Sequence, residues 1–483
     1  MIPYVISKYR GGVSDESDKG VDGSFKYGYG LDIHSRDDVL KCASTVATID
    51  SSTINDLIQF FVPAQDGTTY AFGSAGSVYA ISGNTADPVV TFVYNDENGN
   101  IKGAQEWKQS DGNNYIYWAT HTSVARMILN GSVDAPWAGG VVNTNYKTTL
   151  DGSDWHTMKN AGGVLSIANG NYLATIDYDG NFNAASLNVR PGNILTALEE
   201  RDDYIIMGSK RQDSAEEGHI WSWINVALAS NWIQKKRIPV QGVNSIITTE
   251  NMFIQGGDDG ELFYSDFVNA LSLHAIPGGG RTNPGGVAID NDLAVFGFYG
   301  GTYPGLWTYG RRMKNRPQAL NYTYRLAPTV AGSSVSTIGA VTNMNGLLLA
   351  SWTTVDGSTT DYGLDMVSST TRANAVYEGL EFDGGQPHLK KPFQSVKVIS
   401  SPLSSGTSYS IKFKTDKESN WRYAVLAGGS TTYSITDSVE SEWTIGKTAV
   451  IYEVGAELNA SGSSTPEIQA IVTYLGDKFK DHG

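Results

Sequence analysis

The chain has 483 residues, more than one ordinary core accommodates, so it reads as two or more domains. A formal charge of −15 disfavours a non-specific nucleic-acid binder, whose phosphate contacts need a basic surface, and is suited to keeping a chain soluble. Its single cysteine, Cys42, excludes an intrachain disulfide and a cysteine zinc cluster, and no apolar stretch is long enough to span a bilayer as a helix.

Glycine is abundant at 54, aromatics make up 11% and charged residues only 18%, without a long amphipathic helical pattern. Aromatics favour strands and glycine supplies tight turns, so the class is all-β. The first residues, Met1 to Lys8, lack the apolar core of a signal peptide, which implies synthesis in a cytosol. Residues 1–57 differ in pattern from the rest of the chain. A polar, glycine-rich stretch, Gly11 to Gly20, precedes Gly23 to Ile33, which alternates like a strand. This region reads as an extended arm with two alternative jobs: completing the last sheet of a ring, or docking onto another subunit.

Residues 58–383 then repeat a block about seven times, at a spacing of roughly 45 residues. Each copy has an apolar run, a Gly/Asp/Asn turn and a second apolar run. Examples are Tyr70-Ala71-Phe72-Gly73 with Val78-Tyr79-Ala80-Ile81, Tyr172 to Ile176 with Phe182, Leu293 to Gly297 with Gly305 to Tyr309, and Leu347 to Ala350 with Tyr362 to Met366. The period is that of one four-stranded blade, so the array predicts a roughly seven-bladed β-propeller. Asp66-Gly67, Asp111-Gly112, Asp151-Gly152, Asp179-Gly180, Asp259-Gly260, Asn345-Gly346 and Asp356-Gly357 mark hairpin turns. Arg211 to Gly218 reads as an insertion and Pro277 to Gly286 as a flexible loop, on a rim or face where partners bind. Lys235-Lys236-Arg237 and Arg311-Arg312 read as solvated blade edges. Beyond Phe382 the repeat stops, and alternating runs such as Tyr409 to Lys414 predict a C-terminal β-sandwich over residues 388–477, followed by a loose tail from Lys478.

Candidate chemistry is sparse. The seven histidines are scattered, so they form no zinc motif. Asp177-Tyr178-Asp179-Gly180-Asn181 and Asp96-Glu97-Asn98-Gly99-Asn100 carry alternating oxygen ligands as calcium loops do, but ordinary hairpin turns look the same. Gly446-Lys447-Thr448 lacks the upstream glycine of a phosphate loop, and Gly73-Ser74-Ala75-Gly76-Ser77 is a turn. Asp202-Asp203, Asp258-Asp259 and Asp290-Asn291-Asp292 are the carboxylates a glycoside hydrolase would need, and they also suit plain turns. Of the 11 tryptophans, from Trp107 and Trp137 to Trp443, those in the repeats fall at strand positions, which favours packing between blades over sugar stacking. No catalytic, cofactor or metal residue is assigned.

The stretches Gly12-Val13-Ser14-Asp15, Asp18-Lys19-Gly20, Gly23-Ser24-Phe25-Lys26 and Gly30-Leu31-Asp32-Ile33 resemble the opening of a class of tailed-bacteriophage virion proteins. Ser401 to Thr407 and Leu458 to Ile468 resemble the sandwich that follows the propeller in those proteins. The resemblance implies a non-enzymatic structural or adhesive part of the virion, in the tail, its tip or a fibre. It implies other virion proteins as partners, with a host surface glycan or receptor as a further one, and neither direct nucleic-acid binding nor membrane insertion. The alternatives are a carbohydrate-binding or carbohydrate-cleaving tail protein and a cellular scaffold of the WD-repeat kind, although the Gly-His and Trp-Asp signatures of the latter are missing.

Overall fold

A computed structural model describes residues 2–36, 38–84, 87–129, 142–213, 217–225, 231–326 and 335–476. The described residues form strands and turns and no helix. They divide into two compact units: residues 47–305 with 326–366, and residues 1–46 with 306–325 and 367–483.

The first unit is a ring of sheets, each a meander of antiparallel neighbours. The first sheet runs Ile58–Pro63, Thr69–Gly73, Ser77–Asn84 and Asp87–Asn95; the second runs Gly103–Lys108, Asn114–Ala119, Val124–Ile128 and Val142–Lys147. Met158–Ala161 opens the third, Asn193–Arg201 the fourth and Val243–Thr248 the fifth, each again four-stranded. Val287–Asp290 and Leu293–Phe298 pair as the next hairpin. Val335–Met344, Leu347–Asp356 and Thr359–Arg372 continue the series, and the early strand Ser44–Asp50 lies outermost on that sheet, with the Thr48 hydroxyl donating to Asp365 at 2.8 Å. One sheet therefore carries strands from both ends of the ring.

The opening strand of each sheet lies beside the opening strand of the next, and Val335–Met344 returns to Ile58–Pro63, which closes the circle. A closed ring leaves no sheet stacked on solvent, and this is the architecture of a β-propeller. The core lies between sheets. Phe72 and Val78 of the first sheet pack with Ile116, Trp118 and Met127 of the second. Leu187 of the third meets Leu195 and Met207 of the fourth. At the closing seam, Ile58 and Tyr79 meet Ala340, Leu349 and Leu364. Trp118, Trp221, Trp307, Trp352 and Trp443 are fully buried, while Trp107, Trp155, Trp232 and Trp421 are partly buried; Trp137 lies outside the described residues.

Two details of the repeat differ from the sequence reading. In the third copy, Tyr172–Asp177 is the third strand of its sheet; the second is Val164–Asn169, whose run has no aromatic leader and joins Tyr172 through a tight turn. The third copy is thus displaced by one strand from the others. Asp151-Gly152 is no hairpin turn either. It lies in the connection into the strand Met158–Ala161, where the Asp151 N–H donates to the Asn169 side chain at 2.6 Å. By contrast Asn345-Gly346, with φ of 52° and 86°, has both central residues in the left-handed region that a two-residue hairpin requires.

The second unit draws on both ends of the chain. Ile2–Ile6 pairs antiparallel with Ile468–Leu475, which is followed across the sheet by Lys391–Ser400, Glu440–Ala449 and Val425–Leu426. A facing sheet contains Tyr27–Tyr29, Ala375–Glu378, Tyr452–Asn459, Ser408–Thr415 and Arg422–Tyr423. The two sheets meet through Phe393, whose ring is edge-on to Phe413 at 6.0 Å and to Tyr452 at 5.3 Å, and through the Tyr409 hydroxyl at 2.9 Å from Ser441 Oγ. The boundaries drawn at residues 57, 383 and 388 therefore shift. Most of the arm is built into this unit, because its alternating runs find partner strands there, and residues 306–325 also belong to it. The segment between 383 and 388 is held, too. Buried Lys391 donates to the carbonyls of Asp383 at 2.7 Å, Gln386 at 2.9 Å and Leu389 at 3.4 Å. Asp477 and the tail from Lys478 lie outside the described residues.

His34 is buried in this unit, with Nε2 at 3.1 Å from the Thr308 hydroxyl and its carbonyl accepting from Arg316 at 3.0 Å. Burial, reinforced by the positive charge of Arg312, pushes its imidazole pKa down from 6.5 to about 4. The folded state then binds fewer protons than the unfolded state between these values, so stability falls as pH drops from 6.5 towards 4. The loss from this residue should approach about 3 kcal/mol near the bottom of that window. Urea unfolding at pH 7 and in mild acid checks it: His34→Gln, which keeps a hydrogen-bonding group, should lose less stability on acidification than the parent chain.

Candidate functional site

The ring's central channel opens at one end into a basin of about 540 Å³. Its wall comes from the connections that enter the opening strands and from the ends of second strands, all within the ring unit. Five charged side chains from successive sheets line it with alternating sign: Lys102, Asp154, Lys210, Asp258 and Arg281. Lys210 Nζ lies 2.6 Å from Asp154 Oδ2, and Arg281 Nη1 lies 3.3 Å from Asp258 Oδ1. The bonded Lys210 ammonium holds the Asp154 carboxyl below the usual carboxylate range. Lys102 Nζ donates to the Ser153 carbonyl and lies 3.4 Å from His121 Nδ1.

Buried polar groups support this rim. Thr282 donates through its backbone N–H at 3.1 Å and its hydroxyl at 3.0 Å to Gln255 Oε1, and Asn244 Nδ2 donates to the same oxygen at 2.9 Å. The Tyr299 hydroxyl donates to Asn283 Oδ1 at 2.8 Å, and burial raises the Tyr299 pKa. The Arg281 guanidinium lies 5.5 Å from the centre of the Tyr299 ring, a cation–π contact. The connection Pro277 to Gly286, expected to be flexible, is instead pinned by bridges from Gly280 to Asp259 and from Arg281 to Tyr299. A satisfied polar scaffold of this kind holds the basin's side chains in place before anything binds. A further cavity, of about 370 Å³, is lined by later parts of the same opening strands, with Lys159 Nζ at 3.0 Å from Glu199.

The candidate metal and catalytic residues read from sequence are engaged in turns. Asp96 is buried; its Oδ2 accepts from the Trp118 indole at 2.7 Å, and Oδ1 accepts from the Asn98 backbone at 2.9 Å. Asp177 accepts from the Asn181 backbone at 2.8 Å and side chain at 2.9 Å. Among the described residues no three metal-ligating acidic, histidine or cysteine side chains come together; His482 lies outside them. Asp202, Asn291 and Asp292 have positive φ in hairpin turns, and Asp258 is paired with Arg281. The Asp202-Asp203 and Asp290-Asp292 turns join first strands to second strands, whereas Asp258-Asp259 joins a second strand to a third. In a meander the Asp258-Asp259 turn therefore lies at the opposite end of the sheets from the other two, so it does not share one bond with them. Gly446-Lys447-Thr448 is strand, with Lys447 opposite Phe393. Lys235-Lys236-Arg237 lies on the outermost strand of the fourth sheet. Arg211 of the insertion pairs with Asp213 and Glu217, and Ser214 to Glu216 lie outside the described residues.

These bonds give one test. Asp96→Ala removes the acceptor of a buried indole N–H and should cost about 1–3 kcal/mol, while Asp96→Asn, which retains an acceptor oxygen, should cost less. Calcium at millimolar concentration should leave the parent's melting temperature unchanged; differential scanning fluorimetry reads both effects.

No family model and no curated protein sequence matches this chain. Among solved structures it is similar to the WD40 β-propeller domain of Doa1, at 13% identity and TM-score 0.43 over 68% of this chain and 97% of that one. It is similar to the extracellular domain of the putative hybrid two-component system BT4673 from B. thetaiotaomicron, at 13% identity and TM-score 0.46 over 79% of this chain and 44% of that one. It is also similar to the β-propeller domain of Myceliophteria thermophila Cps50 (Swd1), at 11% identity and TM-score 0.42 over 62% of this chain and 95% of that one. The assignment as a β-propeller stands on the strand order and closure described above.

Proposed function

We propose that this chain is a non-enzymatic structural or adhesive component of a tailed-bacteriophage particle, in the tail, its tip or a fibre. The observation that carries the reading is where the phage-like segments lie. They come from opposite ends of the chain, yet they knit into one unit. The N-terminal stretch reaches the C-terminal one through the residues just after it: Leu31 bridges Cys42, whose N–H donates to Thr465 Oγ1 at 2.9 Å, and Leu40 bridges Ile468. Two short likenesses far apart in sequence thus belong to one piece of structure, and this supports a common origin for both. The engagement of the candidate carboxylates in turns and ion pairs supports a binding role over bond cleavage. The ring supplies a binding face, and the partners are other virion proteins together with a host surface glycan.

Immunogold electron microscopy of purified particles, with antibody against the isolated chain, is expected to label the tail; recovery of the chain only from the particle-free fraction overturns the reading. Incubation with host polysaccharide should leave its chain length unchanged. Shortening that Asp258→Asn abolishes would make the protein a depolymerase.

A further inference from the structure

The basin at the channel mouth combines three features. The first is a cation without a carboxylate partner. Of its five charged residues, Asp154 and Asp258 are each neutralised by a bonded cation, Lys210 and Arg281. Lys102 is the third cation beside two carboxylates: its ammonium donates to the Ser153 carbonyl, lies 3.4 Å from the His121 ring nitrogen, and is attracted by Asp154, already bonded to Lys210, without an ion-pair contact of its own among the described residues. Burial lowers the Lys102 pKa, as expected where a charge is incompletely solvated. In a chain of net charge −15, the basin is therefore a local seat for one negative charge.

The second feature is a set of unused amides. Gln59, Asn100 and Gln241 line the basin, and their side chains have no hydrogen-bond partner among the described residues. Each offers both donors and an acceptor, the chemistry that pairs with hydroxyl groups. The third is an aromatic surface: Trp155 lines the same wall and is only partly buried, its ring held edge-on by Phe60 at 5.9 Å.

From these we infer that the basin is a binding site for an acidic sugar unit of the uronic-acid type, with its carboxylate on Lys102, its hydroxyls on the amides and an apolar ring face on Trp155. The alternatives fit the chemistry less well. A phosphate or nucleotide brings two or more negative charges towards Asp154 and Asp258, and the guanidinium that could grip it is already paired. A neutral sugar leaves Lys102 unused. A concave basin of about 540 Å³ is the size of a small-ligand site and too small for a protein epitope.

The inference rests on the ring being a binding surface, but its test is independent of particle location. Isothermal titration of the purified chain with a galacturonic-acid trimer should show saturable binding with Kd at or below about 1 mM. A trimer of neutral galactose should bind about tenfold more weakly, and added salt should weaken the acidic ligand selectively. Lys102→Met should lose about tenfold in affinity for the acidic trimer. Should Lys102→Met fail to fold, Asn100→Asp, at an exposed position, places a negative charge in the basin and should weaken the acidic trimer by a clearly larger factor than the neutral one, which loses only an amide donor. Lys236→Met, on the outer edge of the fourth sheet, should change nothing. Absence of binding, equal binding of the two trimers, or binding indifferent to the basin variants would overturn the assignment, and particle labelling would still judge the virion reading separately.

Discussion

Replacing Gly339 by alanine is expected to cost the ring about 3 kcal/mol or more, or to prevent it from closing. Gly339 lies on Val335–Met344, where the last sheet meets the first. A methyl there would overlap the Ile58 carbonyl oxygen and come within 2.9 Å of the Ile58 carbonyl carbon and 2.8 Å of Leu57 Cδ1. The obstacle is backbone and not the end of a flexible side chain, so relief requires the two opening strands to part. The same carbonyl accepts from Ser351 Oγ at 2.5 Å, and that hydroxyl accepts from the Ala340 N–H at 2.9 Å, so moving the strand also breaks the polar staple across the seam. Opening the seam would expose Ile58, Tyr79, Leu349 and Leu364 together. Urea unfolding followed by tryptophan fluorescence measures the loss; a Gly339→Ala midpoint equal to the parent's would show that the seam does not hold the ring. Ser351→Ala removes the staple without overlap and should cost about 1–2 kcal/mol, which provides a reading even if the alanine variant at 339 does not accumulate.

The ring was legible in sequence because second and third strands are the most buried. Runs such as Thr69–Gly73 and Gly218–Ile224 are buried at nearly every position and rich in large apolar residues, since they are covered on both faces by neighbouring sheets. The third copy was misplaced where the aromatic leader falls one strand late. The second unit was only half legible. Tyr27–Tyr29 lies in a run that alternates like a strand, but alternation does not say which strand lies alongside, and Ile2–Ile6, Ile-Pro-Tyr-Val-Ile, carries no alternation at all. Their partners, Ala375–Glu378 and Ile468–Leu475, lie hundreds of residues away.

The basin was legible only in fragments, as the Pro277 to Gly286 connection and Asp258, and not as a site. Lys102, Asp154 and Arg281 sit in connections, where no periodicity marks a functional position, and each comes from a different sheet. The available signal was weak: a charged or amide residue just outside an apolar run, which is also how any solvated loop reads. The carboxylates that drew attention did so because aspartate forms turns. Asp96 shows why composition alone misleads, since its oxygens are used by Trp118 and Asn98.

Lys26→Met should be a costly change in the second unit, losing about 2–3 kcal/mol at neutral pH, the half-buried lysine tempering the full cost of breaking a buried pair. Lys26 Nζ lies 3.0 Å from Glu453 Oε2 and 3.2 Å from Glu381 Oε1, and the Glu453 side chain is only 3% exposed. Burial works against the lysine's charge, but hydrogen bonds to the two carboxylates more than offset it and hold the ammonium's pKa above 10.5. With a raised pKa the contribution is fully present below 10.5 and is lost only as pH climbs through the folded value, so it is intact at neutral pH. Methionine preserves most of the packing and removes the charge, leaving Glu453 ionised in a buried strand without a partner. Lys417, 4.0 Å from Glu381 Oε2, can still serve Glu381, which places the penalty on Glu453. One signature separates this from lost packing. The double variant Lys26→Met with Glu453→Gln should recover most of the loss, because the pair is removed together. A single variant within about 1 kcal/mol of the parent, or a double variant no better than the single, would show that Lys26 acts through its aliphatic stem and not its charge.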